Sequence, residues 1–455
     1  MTREPVKIAR PLSRRRALRA APVLLAGIGA AACATGGGGA AKPAVPAAPS
    51  LPSPRTVELW SQWGSGMTLD TQARLVQRYQ QLNPGVTVNT AVAPMVSGAP
   101  EKTITATAAG SPPDVGIFDR FVIASFVAKD TFTPLTDLAR RDAITEKDYY
   151  PFAWNEATYK NKLYALPFQT GIRGLFVNLA HLRDVGVRPD QLPKTLTELD
   201  QLAVRLTQQG GESFSRVGFM PWVGNSHFYT WGWLFGGEFF DDKANRCTAN
   251  HAKNIEALNW VAGYAQRLGD ARSRAFQNGF AQAPGGGFGG GLQSFWHDTQ
   301  ALMDTIATAV PQLEYDTMPL PPAPGQTKTS SWAGGFGYFV PRGVKNSEVG
   351  WHLAKFLGGD EGELAWAQGT AVFPVRVNVA KAPYFQERAA RDKRFKVFLD
   401  LLPIARSRPV TPVAQLMLDE LNAAVDNVRK GASLPKDALD AVTQKVNAEL
   451  AALGG

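Results

Sequence analysis

Apolar and polar residues alternate over 56–60 (Thr-Val-Glu-Leu-Trp), the period of a half-buried strand, and then the period changes. Leu69, Ala73, Val76 and Tyr79 fall at helical spacing, and Asn83-Pro84-Gly85 ends that helix near Leu82. Residues 86–88 resume a strand, 102–109 read as a short helix, Ser111-Pro112-Pro113 breaks it, and 114–118 read as the next strand. Strands and helices taking turns predict an α/β lobe around an open sheet. In such a sheet ligands sit at the carboxyl ends of strands. Two loops occupy those ends here, Ser61-Gln62-Trp63-Gly64-Ser65-Gly66 and Asp119-Arg120. Gln62 and Trp63 are therefore candidate ligand contacts, with core packing the alternative for the indole. Asp119 is either an acceptor for ligand hydroxyls or the N-cap of a helix over 121–128.

The next change of pattern runs from Lys162 to Asn178. Its first part alternates, Pro167 then removes a ladder donor and fixes φ, and Gly171 and Gly174 bracket Arg173 before a second strand over 175–178. This spacing predicts either a crossing between two bodies, with Gln169, Thr170 and Arg173 facing a ligand, or an ordinary hairpin corner.

Beyond it, Thr195 and Glu198 form a capping-box pattern before a helix that reaches Gln209. Residues 222–240 are then dense in rings: Trp222, Phe228, Tyr229, Trp231, Trp233, Phe235, Phe239 and Phe240. A pyranose has an apolar C–H face and an equator of hydroxyls, so indoles beside short polar side chains suit a saccharide. Trp231, Leu234 and Phe235 also lie at helical spacing, which suits packing. Trp222 and Trp231 are the rings expected to reach a cleft. A helix over 250–268 follows. Around Trp332, the glycines Gly334 and Gly335 before Phe336 allow a backbone to approach a ligand closely. The remainder is helical, over 347–357, 361–368, 394–402, 413–429 and 436–450. The run Gly285-Gly286-Gly287-Phe288-Gly289-Gly290-Gly291 carries GxGxxG letters. No strand runs into it and no Lys-Ser or Lys-Thr follows, so neither a dinucleotide site nor a P-loop is expected.

Charge changes this picture at one end only. The formal charge is +9, but residues 1–32 hold seven Lys and Arg against Glu4, leaving +3 for the rest. That is too little to point to nucleic acid. Ser13-Arg14-Arg15-Arg16-Ala17-Leu18 before an apolar run over 20–32 is an export-signal pattern, by the twin-arginine or the general route. Ala31-Ala32-Cys33 resembles a bacterial lipobox, making Cys33 a lipidation candidate, with plain cleavage near Ala32 the alternative. Residues 33–55 are nearly all small residues and proline, a disordered tether. Cys33 and Cys247 fall on opposite sides of the processing site and are not expected to pair. The five histidines are scattered and show no metal pattern. Neither HExxH nor GxSxG occurs.

Several segments resemble the extracellular solute-binding proteins of family 1, the sugar receptors of bacterial ABC importers, similar to maltose-binding protein. The matching stretches are Lys162–Pro167 with Phe168, Gly171, Arg173, Gly174 and Asn178, then "AAGSPPDVGIFD" ending at Asp119, "PKTLTEL", "GGEFFD", and Trp332 to Phe336, over about 56–380. The resemblance implies an α/β fold of two lobes, the type II periplasmic-binding-protein or Venus-flytrap architecture, each lobe a sheet flanked by helices. The expected domains are a signal over 1–32, a tether over 33–55, lobe 1 over 56–167 plus about 299–345, lobe 2 over 168–298, and a C-terminal helical set over 346–455 packing on both lobes. The implied function is capture of a saccharide and delivery to membrane permease subunits, without catalysis, cofactor, metal or nucleic acid. The chain is expected to be a monomer, exported, and held to the membrane only through lipid on Cys33. The expected ligand contacts are Gln62, Trp63, Asp119, Arg120, Gln169, Arg173, Trp222, Trp231, Trp332, Gly334, Gly335, Phe336 and Arg376. Three alternatives stay open. A secreted glycoside hydrolase would use Asp119 with Glu238 or Asp298 as opposed carboxylates. A glycerol phosphate or other sugar phosphate would be held by Arg173 and Arg120. A sensory role would present the solute to a membrane receptor.

Overall fold

The computed structural model describes residues 55–93 and 101–454, with only the backbone for 101–103. All of these lie in one compact unit, Ala47–Gly455. The expected signal, Cys33 and the tether up to residue 54 lie outside the described residues.

Two five-stranded sheets organise this unit. In the first, β1 (Arg55–Ser61) pairs in parallel with β2 (Val86–Val92) and β3 (Val115–Asp119). The connection from β1 to β2 is the helix α1 (Gly66–Leu82), whose Leu75, Val76 and Tyr79 are buried on the sheet. The strand β4 (Ala165–Pro167) closes the other edge.

The chain then leaves this sheet. Pro167 ends β4, one residue before Phe168 N makes the last bond to that sheet, to the Phe336 carbonyl at 3.3 Å. Three residues later β5 (Gly171–Asn178) begins the second sheet. Almost every residue of β5 is buried, because its two faces meet two different cores. Ile172 and Phe176 pack into one, Leu175 and Val177 into the other. A strand covered on both faces loses the polar half of its alternation. Its ladder neighbours are β6 (Phe295–Thr299), β7 (Tyr315–Met318) and β8 (Ser331–Gly334), all antiparallel to it. A short strand β10 (Ala405–Arg406) joins β8 in parallel at the edge.

The return crossing is one residue long. β8 ends at Gly334, and β9 (Phe336–Phe339) is already between β3 and β4 of the first sheet. A Cβ on the intervening Gly335 would stand 2.1 Å from the Gln169 carbonyl oxygen, so the two crossings touch through a position only glycine can fill. A third contact joins them where Thr170 and Phe373 exchange backbone hydrogen bonds of 2.9 Å. The crossing expected from the Lys162–Asn178 pattern is thus present. Its return differs from the expectation of about residue 299: by pairing, β7 and β8 stay in the second sheet, and the chain re-enters the first at Gly335. Period alone cannot say which of two sheets an amphipathic strand joins.

The C-terminal helices divide between the bodies. Ser347–Leu357 and Asp360–Gly369 bury Val349, Leu353, Leu357 and Trp366 against the first sheet. Ala414–Arg429 and Pro435–Gly454 bury Met417, Leu421, Leu439 and Val446 against the second. Thr195 caps its helix as the sequence suggests, accepting from Glu198 N at 3.2 Å. The Glu198 carboxylate reaches Lys194 N instead of the cap itself.

Candidate ligand site between the two sheets

Arg173, the third residue of β5, stands where the crossings meet. Its Nη1 donates to the Gly171 carbonyl at 2.7 Å, and Nε and Nη2 both donate to Asn225 Oδ1 at 3.1 Å. The guanidinium lies 3.4 Å from the centre of the Trp332 ring, which β8 brings alongside. A flat, weakly hydrated cation on an indole face is a favourable stack. Burial, with Arg408 nearby, pulls the Arg173 guanidinium down to about 9, so it remains a cation at neutral pH. No ion pair among the described residues includes it.

Asn225 belongs to the loop that leads into the short helix Phe228–Leu234. From the same loop, His227 sets its edge on Trp332 at 5.1 Å, and Ser226 meets His297 Nδ1 at 3.1 Å. Burial and the neighbouring arginines push His227 down to about 4. Burial and Arg173 push His297 down to about 3. Both imidazoles are therefore neutral at physiological pH.

Facing this group from the first sheet is a cluster of charges. Asp119 ends β3, and its Oδ1 accepts from Phe121 N at 3.0 Å and from Arg408 Nη2 at 3.1 Å. The cap and site roles proposed for it from sequence are thus compatible. Arg120 is buried and donates Nη1 to the carbonyls of Gln169 and Phe336, which are on the two crossings. It also lies 3.3 Å from Glu156, which in turn is 3.5 Å from Arg408. Burial pushes Glu156 up to about 7 despite the two arginines. Glu156, Asn225, His227 and Arg408 are the members sequence reading missed. Only Arg408 left a hint, the basic, proline-punctuated stretch Arg406-Ser407-Arg408-Pro409.

Trp222 lines a separate cavity of about 140 Å³ within the second body. Ser226, Phe228, Trp231, Asn422 and Arg429 also line it. The Arg429 guanidinium lies 4.4 Å from the Trp222 ring. Trp222 Nε1 and Arg429 Nε are buried with no hydrogen-bond partner among the described residues, as is Trp332 Nε1. Buried donors left unfilled are costly and mark a place for an acceptor. Trp231, expected at the cleft, is 1% exposed and donates Nε1 to the Pro221 carbonyl, so it serves as a wall and offers no free edge.

The other expected contacts lie elsewhere. Trp63 packs on Phe168, Phe336 and Trp366 in the core of the first sheet, the packing alternative raised above. Gln62 is half-buried next to it, its Nε2 without a partner. Gly334 offers its carbonyl to Thr170 Oγ1 at 3.1 Å and backs the Trp332 ring, while Gly335 and the Gln169 backbone are hinge contacts. Arg376 is committed to Asp360 at 2.5 Å and to the Tyr149 hydroxyl at 2.9 Å. Its side chain is anchored by these residues of the first body.

The glycine run forms a turn, Gly286–Gly289, that seats Trp296: a Cβ on Gly287 would stand 2.9 Å from that ring. Asp298 accepts from Trp296 Nε1 and Thr299 N, and the exposed Glu238 pairs with Arg406 at 2.6 Å. Among the described residues, no group of three His, Cys, Asp or Glu is placed to hold a metal, and no helix is long and apolar enough to cross a membrane. A wider groove of about 870 Å³ runs between residues 151–161 of the first body and Trp233, Glu238, Asp242 and Arg406 of the second, and Arg408 lines it too.

Comparison with known proteins agrees with this architecture. A family model described as "Bacterial extracellular solute-binding protein" matches residues 68–364. CpMnBP1, solved with mannobiose bound, is similar over 87% of this chain and 100% of its own, at 22% identity and a TM-score of 0.74. The sugar-binding protein MalE from the phytopathogen Xanthomonas citri is similar over 87% and 98%, at 22% identity and a TM-score of 0.72. Maltose-bound MalE3 of T. maritima is similar over 87% and 100%, at 20% identity and a TM-score of 0.69. At these identities the likeness speaks for the fold. No curated protein matches by sequence.

Proposed function

Since the chain belongs to the bacterial extracellular solute-binding proteins, we propose that it captures a saccharide between its two lobes and delivers it, unchanged, to the permease of an ABC importer. The observation that carries this reading is the half-buried Trp222 ring, which lines a cavity of about 140 Å³ with an unfilled N–H group beside the Arg429 guanidinium. Rings of this kind cover the apolar face of a pyranose, and the surrounding Arg, Asn, Ser and Asp groups answer its hydroxyls. Contacts from both bodies then favour the closed arrangement. Micromolar affinity corresponds to about −8 kcal/mol, within reach of a stacked ring and several hydrogen bonds. The fold-related proteins solved with mannobiose and with maltose supply the first probes.

The test is a thermal-shift panel of mannobiose, mannotriose, maltose and maltotriose, followed by chromatography of the recovered sugar. The expected result is a raised melting temperature with at least one of them and recovery of the intact sugar. Recovery of cleaved product would replace this reading with the hydrolase. We also propose that the exported chain acts as a monomer and is anchored by lipid on Cys33. A Cys33→Ala variant is expected to leave the membrane fraction, and its full retention there would refute the anchor.

A further inference from the structure

Arg408 lies in the link between β10 and the helix Ala414–Arg429, in the second body. It pairs with two carboxylates of the first body, Asp119 at 3.1 Å and Glu156 at 3.5 Å. Its guanidinium is also held between two rings, Phe121 of the first body at 3.9 Å and Trp332 of the second at 5.0 Å. A flat polar group between aromatic faces from the two bodies occupies the kind of place a sugar ring would.

This contact is incomplete. Arg408 Nε, both Glu156 carboxylate oxygens, and Nε and Nη2 of Arg120 are all buried with no hydrogen-bond partner. Arg408 Nε and Arg120 Nη2 thus stand without an acceptor, and Glu156 meets its two arginines through ion pairs of 3.3 and 3.5 Å that make no hydrogen bond. Charged groups buried in this way bear a desolvation cost that neighbouring charge only partly offsets. Parting the lobes relieves it by admitting water. A guest with several hydroxyls relieves it with the lobes closed, since each hydroxyl both donates and accepts.

We propose that Arg408 is the positioning residue that couples occupancy of the site to closure of the lobes. Without solute it ties the bodies together weakly through Asp119 and Glu156. With solute, hydroxyl groups complete the hydrogen bonds of the cluster and the tie becomes strong. The inference rests on solute binding between the lobes, but its first consequence concerns the unliganded chain.

The experiment compares full-length wild type with Arg408→Gln, Arg408→Lys and Asp119→Asn, by small-angle X-ray scattering without ligand and by titration calorimetry with mannobiose and maltotriose. In Arg408→Gln the ligand-free radius of gyration is expected to rise, and Kd for the binding sugar to weaken at least about tenfold. Arg408→Lys keeps the charge without the planar fork and is expected to recover part of both. Asp119→Asn is expected to weaken binding, and the double variant to weaken it by less than the product of the two single effects. A ligand-free scattering curve for Arg408→Gln superimposable on wild type, or tighter sugar binding by that variant, overturns the proposal. If neither sugar binds wild type, the proposed saccharide function fails on its own, and the ligand-free scattering still decides the role of Arg408.

Discussion

The one-residue return crossing gives a direct test of the hinge. A methyl group added at Gly335 would stand 2.1 Å from the Gln169 carbonyl oxygen and 3.0 Å from its carbon, so the crossings have to separate by about 1 Å to restore a contact that real Cβ atoms tolerate. That movement pulls on the bonds from Arg120 N to the Gly335 carbonyl, 3.0 Å, and from Thr170 Oγ1 to the Gly334 carbonyl, 3.1 Å. Overpacking of this kind costs about 1–3 kcal/mol, and one weakened hydrogen bond adds about 1 kcal/mol. A chain of this length has an unfolding entropy of about 0.8 kcal/mol/K, so a loss of about 3 kcal/mol lowers Tm by about 4 °C. Gly218 is a matched control inside the second lobe, where an added Cβ would stand 2.0 Å from the Ala203 carbonyl oxygen, away from both crossings. Gly335→Ala and Gly218→Ala are expected to lose similar stability by calorimetry. Only Gly335→Ala changes the angle at which the lobes meet, and its sugar affinity is expected to fall about tenfold, or 1.4 kcal/mol. Equal affinity losses in the two variants, or a Gly335→Ala protein with wild-type Tm and Kd, would refute the hinge assignment.

Trp222→Ala is expected to weaken sugar binding by about 1–3 kcal/mol while leaving the fold intact, because the ring is half-buried and lines a cavity; calorimetry of both quantities checks it. Arg173→Lys keeps the charge but loses the fork to Asn225 and the flat face on Trp332, and is expected to cost at least about 1 kcal/mol of stability in a denaturant titration. Stability is expected to fall on acidification below pH 6.5, since His297 and His227 are held down to about 3 and 4 and the unfolded chain takes up protons first. Glu156, raised to about 7, acts in the opposite sense, because its folded form holds a proton between pH 4.5 and 7. Taken alone, these two histidines and one carboxylate leave a net loss of about 2–3 kcal/mol between pH 6.5 and 4.5; His181, pushed down to about 4, adds to it, and Glu363, raised by burial, opposes it. His297→Gln is expected to remove about a third of the histidine part of that slope, and a His297→Gln protein whose Tm varies with pH as wild type does contradicts the assignment.

Sequence reading was strongest where one local signal has one structural meaning. Pro167 with Gly171 and Gly174 marked a place where a strand changes partners, and the chain does cross there. The first β–α–β unit was equally legible from its change of period. The lobe to which 299–334 belongs was not, because β7 and β8 are short, mostly buried strands whose pattern fits either sheet. Ring-rich composition singled out both Trp222, which lines a cavity, and Trp231, whose helical spacing serves the core as well as it would serve a ligand. Trp63 went the same way.

The charged cluster shows a deeper reason for the remaining gap. Asp119, Glu156, Arg173 and Arg408 come from four segments separated by at least 17 and as many as 289 positions, and none has a motif partner within its own segment. What makes them a site is that two sheets share two crossings, which brings the end of β3, the third residue of β5 and the link after β10 to one point. A buried charge has to find its counter-charge wherever the fold supplies one. Glu156 has Arg120 of its own body beside it, but Asp119 finds its counter-charge in Arg408 of the second body, and parting the lobes would break that pair. Residues able to report lobe closure are therefore the ones whose partners are remote in sequence, and a reading that looks for chemistry within local motifs will pass over them.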